Sequence, residues 1–284
     1  MFEKDLLKNR TILITGGGTG LGRSMALRFA ELGANLFLVA RREDPLKETA
    51  DALRAKGGRA SYACADIRNF GAVETALEAA EKYFDRPFGG IDTLVNNAAG
   101  NFLARTEKLS PNAFNAVVGI VLQGTFHCTL ALGRKWIAAK QAGNILNIVT
   151  TYAAANCGSG FVVPSACAKA GVLAMTRSLA VEWARYKIRL NAIAPGPFPT
   201  EGAWSRLMPS KDFEERTKNY HPMKRFGRHE ELANLASFLL SEQAEYINGE
   251  CVVIDGGLWL RGAGEFNVID TPDSEWEKLE SRRG

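Results

Sequence analysis

The chain has 284 residues, of which 46% are hydrophobic and 23% charged, a balance typical of a globular protein with a sizeable core. Its net charge of +4 is too small to indicate a nucleic-acid-binding protein, and no dense basic run occurs. Five scattered cysteines without C-x-x-C spacing disfavour a disulfide framework or a metal site and favour a reducing compartment. No apolar run approaches the roughly 20 residues of a membrane span, and the first ten residues lack a signal core, so we expect a cytoplasmic protein without a membrane partner.

Seven short strand-like segments alternate with amphipathic helical segments along the chain. Strands are predicted at 11–15, 35–40, 60–67, 91–100 (running into a loop), 144–153, 188–197 and 250–257, and helices at 21–33, 43–58, 70–84, 111–140, 164–185 and 230–241. This alternation predicts an α/β fold: a single Rossmann-like domain with a doubly wound, seven-stranded parallel sheet. The polar, proline-containing segment 198–222 is predicted to be a substrate lid. The tail from about 258 has no strong pattern, and we expect it to pack on a partner subunit or to be loosely ordered.

A glycine cluster, TGGGTGLG at 15–22, lies between the first strand and the first helix. Glycines at this position let the backbone turn tightly and approach a pyrophosphate at the helix N-terminus. The strand before the cluster and the helix after it favour a dinucleotide site over an ordinary connection. The predicted cofactor contacts here are Gly16, Gly18, Thr19, Gly20, Leu21 and Gly22.

The second strand ends in Ala40, followed by Arg41 and Arg42, with no carboxylate at the strand tip for a ribose 2′-hydroxyl. Two guanidinium groups there favour a 2′-phosphate and therefore NADP(H), although the arginines would also suit a solvated surface. Asp66 and Ile67 lie at the end of the third strand and are further predicted cofactor contacts. Its carboxylate suits either the adenine amino group or the N-cap of the next helix.

Together with NNAAG at 96–100, the Ser165-x-x-x-Lys169 segment and APGP at 194–197, these motifs resemble the short-chain dehydrogenase/reductase family over nearly the whole chain. The stretches NNAAGNF, GSGFVVPSACAKAGV, APGPFPTEGAWSRL and GEFN are similar to its 2,4-dienoyl-CoA reductase branch in particular. The resemblance implies NADPH-dependent reduction of an acyl-CoA substrate in fatty-acid β-oxidation, by a homotetramer. It also implies that Asn96 and the loop after it wall the cofactor, with contacts from Asn97, Ala98, Ala99, Lys169, Pro195, Gly196, Phe198 and Thr200.

Ser165 lies at a position where most members of the short-chain dehydrogenase/reductase family, which the chain resembles, have tyrosine. A serine hydroxyl is shorter and far less acidic than a phenol, so carbonyl reduction through this position is disfavoured. Reduction of a conjugated dienoyl thioester needs instead a hydrogen bond to the enolate oxygen that develops. Tyr152, just after the fifth strand, is the predicted donor. The 2,4-dienoyl-CoA reductases that the chain resembles have a functional tyrosine in this stretch, and Tyr152 is displaced from that position by about one residue. The alternative for Tyr152 is a packed aromatic ring.

Lys169 is predicted to bind the nicotinamide ribose and to favour a developing anion, because it lies one helical turn from Ser165 on the same face. Ser165 is predicted to orient Lys169 or a water molecule, or else to be a helix-start serine. Gln123 is the second predicted oxyanion holder, at a position where the resembling reductases have asparagine. Most members of the family have, at the position of Val121, an asparagine that takes part in a water relay. The resemblance therefore implies that this relay is absent here.

Candidate substrate contacts are Asn101, Phe102, Phe161, Trp204 and Arg206, with Phe198 as a further acyl wall and Lys211 and Arg216 toward the CoA phosphates. Three alternatives to a dienoyl-CoA reductase stay open from the sequence. They are a trans-2-enoyl-CoA reductase, a carbonyl reductase that uses Tyr152 as its acid, and a catalytically silent NADP(H)-binding sensor or scaffold.

Overall fold

The computed structural model describes residues 3–154, 158–200, 202, 204, 210–261 and 269–281. Seven parallel strands form one sheet in the order β3-β2-β1-β4-β5-β6-β7. The strands are β1 Thr11–Thr15, β2 Asn35–Ala40, β3 Ala60–Cys64, β4 Thr93–Asn96, β5 Gly143–Ile148, β6 Ile188–Pro195 and β7 Cys251–Ile254. The predicted fold class is confirmed. The third, fifth, sixth and seventh strands end before their predicted limits, because the residues at their carboxyl ends leave the sheet and form loops.

The helices occupy both faces of the sheet, and their described bounds are α1 Gly20–Glu31, α2 Glu43–Ala55, α3 Phe70–Phe84, α4 Pro111–Val118, α5 Gly124–Ala138, α6 Val163–Trp183, α7 Lys211–Tyr220, α8 His229–Leu240, α9 Leu258–Arg261 and α10 Asp273–Glu280. Helix α3 has its predicted bounds, and it is capped by Asn69, whose side chain accepts from the backbone N–H of Ala72. Helix α7 begins at its own serine cap, Ser210, inside the segment predicted only as a lid.

Two hydrophobic layers enclose the sheet. One packs α1 against β1 and β2 and α8 against β5 and β6, with Phe29 and Leu239 buried among them. The other lies under α3 and α5 and contains Trp136, which is fully buried and donates from Nε1 to the Ile91 carbonyl at 2.7 Å. Gly143 lies directly under this indole, where a Cβ would be 2.4 Å from the ring, so the sheet and α5 approach closely at this point.

Among the residues that the structure describes, one helix, Pro111–Ala138, is long and apolar enough to cross a membrane, with a mean hydropathy of 1.6. It consists of α4 and α5 joined by a π-helical turn at Gly119–Gln123. Of its most apolar window, 56% is buried inside the protein, so this apolarity suits a core helix as well as a membrane span.

The described part of the tail packs on the same chain. Asp270 pairs with Lys224 at 2.7 Å and with Arg261. The Arg261 guanidinium also lies over the ring of Tyr220, 4.1 Å from its centroid. These contacts attach the tail to the end of α7, whereas the sequence suggested a partner subunit or loose order.

Candidate active site

The loops after β1, β4, β5 and β6 meet at the carboxyl edge of the sheet, beside the point where the strand order reverses. Strand β1 pairs with β2 on one side and with β4 on the other. The first three strands therefore extend the sheet in one direction from β1, and strands β4 to β7 extend it in the other. Open α/β sheets bind ligands in the crevice at such a reversal.

The glycine loop has the backbone that the sequence predicts for a phosphate site. Gly16 and Gly20 have φ angles of 67° and 54°, in the left-handed region that favours glycine. A Cβ on Gly22 would lie 2.2 Å from the Gly16 carbonyl oxygen, so only glycine lets α1 begin this close to the loop. The N-cap Thr19 makes no side-chain capping bond, and the first turn of α1 carries no acidic residue. The positive end of α1 therefore faces no carboxylate of its own helix and suits an anion.

The loop after β4 is fastened to the glycine loop by hydrogen bonds. The Thr15 hydroxyl accepts from the backbone N–H groups of Asn97 and Ala98, both at 3.1 Å. The Asn97 side chain donates to the carbonyls of Thr15 and Gly16 at 3.0 and 3.2 Å. This arrangement places Asn97 and Ala98 beside the glycine loop, with Ala99 exposed after them.

Asn96 differs from the prediction that its side chain walls the cofactor. It is only 3% exposed, and it donates to Thr129 at 3.1 Å and to Asn147 at 2.9 Å. Asn147 in turn donates to Thr176 at 2.8 Å. These partners place the Asn96 side chain in a buried polar network between β4, β5 and the covering helices.

The segment after β6 closes the other side of the glycine loop. A Cβ on Gly20 would contact the Thr200 side chain at 3.2 Å, so Thr200 lies beside the predicted phosphate site. His229, at the start of α8, connects this segment to α1: its Nε2 lies 2.5 Å from the Pro199 carbonyl and its Nδ1 lies 2.8 Å from the Ser24 hydroxyl. Because a carbonyl only accepts, Nε2 must carry the proton.

Two other predicted cofactor contacts in this region have close packing partners. Gly196 follows Pro195 at the end of β6 and lies against Asp255, since a Cβ there would be 2.6 Å from the Asp255 Cβ. Leu21, in the first turn of α1, is partly buried and packs against the hydrophobic core.

Arg41 and Arg42 are both exposed after β2, at the predicted site for a 2′-phosphate. Asp66 does not cap α3, since Asn69 does. Its carboxylate instead accepts from the Arg68 side chain and backbone, and these bonds, aided by the charge of Arg41, hold the pKa of Asp66 below its usual range. Asp66 therefore stays ionised and remains an acceptor.

The Ile67 side chain is buried against α5, where a Cβ on Gly124 would lie 2.6 Å from it. Its carbonyl lies 2.9 Å from Nδ1 of His127. A cofactor contact from Ile67 is therefore limited to its backbone.

Tyr152 and Ser165 are in contact, and Lys169 lies one turn after Ser165 on helix α6. The Tyr152 hydroxyl lies 3.0 Å from the Ser165 hydroxyl, and Ser165 is only 2% exposed. Lys169 is 6% exposed and donates from Nζ to the Ile148 carbonyl at the end of β5. Burial lowers the pKa of Lys169 to about 8, so this ammonium is charged at neutral pH but holds its proton less firmly than a surface lysine.

Asn101 adds a partner to this group that the sequence did not predict, because it was assigned only to the substrate. Its Nδ2 donates to the Tyr152 hydroxyl at 3.3 Å. Thr150, two residues before Tyr152, has a buried hydroxyl oxygen without a hydrogen-bond partner among the described residues. Nothing in the sequence pattern marks either contact, since both depend on how loops fold after their strands end.

Gln123 is not brought into hydrogen-bond contact with Tyr152, Ser165 or Lys169. It is exposed, and its Oε1 lies 3.6 Å from the position of a Cβ on Gly119, one turn back along its own helix. Gln123 ends the π-helical turn, which adds a residue to the helical repeat and so changes the direction of the side chains that follow. Val121 is fully buried in the core.

The candidate acyl walls separate into exposed and buried rings. Phe161 is 60% exposed beside the site and has a φ of 67°, a conformation that a bulky side chain adopts only under strain. Phe102 is partly buried against the core. The Phe198 ring lies in the core against Gly227, which corrects the prediction that it forms an acyl wall.

In the lid segment, Trp204 packs edge-on against Phe226, with ring centroids 4.8 Å apart. Arg206 lies outside the described residues. Lys211 is exposed, and Arg216 pairs with Asp212 one turn away on α7 at 3.0 Å. Lys211 and Arg216 are both exposed to solvent.

The chain is similar in sequence to known reductases. A family model described as enoyl-(acyl carrier protein) reductase matches residues 16–259. A probable 2,4-dienoyl-CoA reductase, (2E)-enoyl-CoA-producing, from Bacillus subtilis is 46% identical over 89% of this chain and 98% of its own length. A probable 2,4-dienoyl-CoA reductase 3, (3E)-enoyl-CoA-producing, from Caenorhabditis elegans is 43% identical over 88% of this chain and 81% of its own length.

Two solved structures share the fold of this chain. A short chain dehydrogenase from Bacillus anthracis is 43% identical, with a TM-score of 0.78 over 88% of this chain and 96% of that one. A putative 2-deoxy-D-gluconate 3-dehydrogenase from Agrobacterium tumefaciens, solved with bound NADP, is 32% identical, with a TM-score of 0.80 over 92% of this chain and all of that one.

Proposed function

The chain belongs to the short-chain dehydrogenase/reductase family, and we propose that it is an NADPH-dependent 2,4-dienoyl-CoA reductase. One observation carries the proposal: a phenol, Tyr152, lies 3.0 Å from Ser165 on the loop after β5 rather than on helix α6, and the buried Lys169 lies one turn after Ser165. The acidic hydroxyl has therefore changed its position relative to the ordinary carbonyl reductases that the sequence resembles, while the lysine has kept its place.

This arrangement suits conjugate reduction. NADPH held there would supply a hydride for the far carbon of the conjugated diene, and the negative charge of the resulting extended enolate would fall on the thioester oxygen. The Tyr152 hydroxyl can donate a hydrogen bond to that oxygen, and the Lys169 charge favours the same developing anion. A proton from water then reaches carbon and completes the enoyl thioester, so Tyr152 does not have to lose its own proton.

The residues at the nucleotide end fit NADP(H). Gly22 lets α1 begin in close contact with the Gly16 carbonyl, and the first turn of α1 carries no acidic residue that would repel a pyrophosphate. Arg41 and Arg42 would hold the 2′-phosphate, and Asp66 is ionised and able to accept from the adenine amino group. Lys169 would hold the nicotinamide ribose.

The test is NADPH consumption measured with a 2,4-dienoyl-CoA, a trans-2-enoyl-CoA and simple ketones. Turnover should be fastest with the dienoyl-CoA and much slower when NADH replaces NADPH. Tyr152→Phe should lower kcat by roughly 100- to 1,000-fold, the usual effect of removing one oxyanion donor, with NADPH affinity unchanged. Tyr246→Phe is the matched control, because Tyr246 is fully exposed. Wild-type turnover in Tyr152→Phe would remove Tyr152 from the mechanism.

A second candidate is a trans-2-enoyl-CoA reductase, which the description of the matching family model favours. The same hydrogen bond from Tyr152 would serve an enoyl thioester, so only the substrate comparison separates the two. Faster turnover of the enoyl-CoA would select this candidate. Faster turnover of ketones would select a carbonyl reductase, and NADPH binding without turnover of any substrate would select a sensor or scaffold.

We further propose that the protein is a homotetramer in a reducing compartment such as the cytoplasm, and that residues 198–222 close over the acyl-CoA. Exposed apolar side chains support the first part: Val181 on α6 is 82% exposed and Phe126 on α5 is 45% exposed. Cysteines 64, 128, 167 and 251 are all free, which suits a reducing compartment. Light scattering of the purified protein tests the oligomeric state, and a monomer would contradict it.

A further inference from the structure

We infer that Asn101 is a positioning residue that holds the Tyr152 hydroxyl as a hydrogen-bond donor toward the substrate. The inference deepens the proposed function and rests on it. The orientation of the Asn101 amide follows from its two contacts. Its Oδ1 accepts from the backbone N–H of Phe102 at 2.9 Å, so its Nδ2 must be the atom that faces Tyr152.

The direction of the hydrogen bond determines what Tyr152 can do. Because Nδ2 only donates, the phenol oxygen accepts from Asn101, and the phenol proton must point elsewhere. In the described structure the remaining neighbour is the Ser165 hydroxyl at 3.0 Å. A thioester oxygen that enters beside Ser165 would accept this proton's hydrogen bond in place of the Ser165 hydroxyl.

Asn101 is held in place by its own segment. Phe102 packs against the core that includes Val121 and Val172, so the N–H that fixes the Asn101 amide is itself anchored. The backbone N–H of Ala104 donates to the Phe161 carbonyl at 2.9 Å, which ties this segment to the loop before α6. Tyr152 therefore lies between two segments that are joined to each other, and the Asn101 donor is preorganised.

No acidic group competes for the phenol proton in the described surroundings. Near Ser165, helix α6 contributes Lys169 and the exposed Cys167 as ionisable groups, and neither is a carboxylate. The carboxyl half of β6, residues 191–195, contributes no ionisable side chain, and neither does the segment 97–104. Introducing a carboxylate at position 101 would therefore create the one strong acceptor beside Tyr152.

Asn101→Asp is the sharpest variant, because it preserves shape and the acceptor for the Phe102 N–H but replaces the amide donor with an acceptor. The phenol proton should then turn toward the introduced carboxylate and away from the substrate. We expect kcat with the dienoyl-CoA to fall roughly 10- to 100-fold, the scale of losing most of one oxyanion hydrogen bond, while the KM values for NADPH and acyl-CoA change less than about threefold. Activity should partly recover as pH falls toward 5 and the carboxylate takes up a proton.

A double-mutant cycle separates this role from a merely structural one. Asn101→Ala and Asn101→Asp are each combined with Tyr152→Phe, and thermal unfolding confirms that every variant folds. If Asn101 acts through the Tyr152 hydroxyl, neither substitution lowers kcat further in the Tyr152→Phe background. Additive losses, or a fall in kcat with no pH-dependent recovery in Asn101→Asp, would overturn the inference.

The two proposals fail differently. If wild-type protein does not turn over dienoyl-CoA but reduces an enoyl-CoA or a ketone, the proposed function fails and the cycle is measured with that substrate. If it reduces none of them, the contact is tested by NMR, with the side-chain amide resonances of Asn101 identified by their loss in Asn101→Ala. These resonances should move in Tyr152→Phe, and resonances that stay unchanged would overturn the inference.

Discussion

Replacing Gly22 with alanine should weaken NADPH binding by roughly 10- to 100-fold and lower the free energy of unfolding. The new Cβ would lie 2.2 Å from the Gly16 carbonyl oxygen and 2.6 Å from Nδ2 of Asn97, so helix α1 and the glycine loop must separate by about 1 Å to restore ordinary contact. Overpacking of this kind costs about 1–3 kcal/mol, and about 1.4 kcal/mol is a tenfold change in affinity. The separation also moves the positive end of α1 away from the loop that it supports.

The assay is a fluorescence titration with NADPH, together with denaturant unfolding. Gly71→Ala is the matched control, because Gly71 also lies in the first turn of a helix but a Cβ there meets only Asn69 Oδ1, at 3.4 Å. That variant should bind NADPH as the wild type does and be more stable by up to about 1 kcal/mol. If Gly22→Ala binds NADPH with wild-type affinity, the close approach at Gly22 does not form the cofactor site.

Four further outcomes follow from the charges in the structure. Replacing Arg41 and Arg42 together by alanine should weaken NADPH binding by about 1–3 kcal/mol and leave NADH binding unchanged, and equal losses for both cofactors would refute the 2′-phosphate assignment. Burial lowers the pKa of Lys169 from 10.5 to about 8, so NADPH binding should weaken above pH 8 as the charge is lost. Between pH 8 and 10.5 the unfolded chain holds this proton more tightly than the folded one, so the stability of the unliganded protein should rise with pH, and Lys169→Met should abolish the rise. Hydrogen bonds from Arg225 lower the pKa of Glu231 to about 2, so the stability that the Glu231 carboxylate contributes is present above pH 4.5 and is lost as pH falls toward 2. Glu231→Gln should lower the free energy of unfolding by about 1 kcal/mol, measured in urea at neutral pH. The difference in unfolding free energy between the variant and the wild type should narrow below pH 4.5.

Much of the fold was predictable because strands and helices repeat their side-chain pattern over many residues. Helix α3 and strands β1 and β2 have their predicted limits. Helix α7 was missed because its sequence, KDFEERTKNY, is polar on most of its surface and buries none of its side chains, so it has no apolar stripe to detect.

The site was predictable only where residues share a regular element. Ser165 and Lys169 are one turn apart on α6, and their proximity follows from helix geometry. The direction of Gln123 depends on a π-helical turn, which sequence periodicity does not reveal. The contact of Asn101 with Tyr152 joins two loops that are 51 residues apart, so only the folded backbone brings them together.

The bridge from Ser24 through His229 to Pro199 makes the two sides of the nucleotide cleft a preassembled unit. One imidazole ties helix α1, the segment after β6 and the first turn of α8 through bonds of 2.8 and 2.5 Å. An incoming dinucleotide then meets walls whose spacing is already set, and little of its binding free energy is consumed in bringing them together. In such a cleft, selection among dinucleotides rests on the few charges at its rim rather than on how far the protein can adapt around each one.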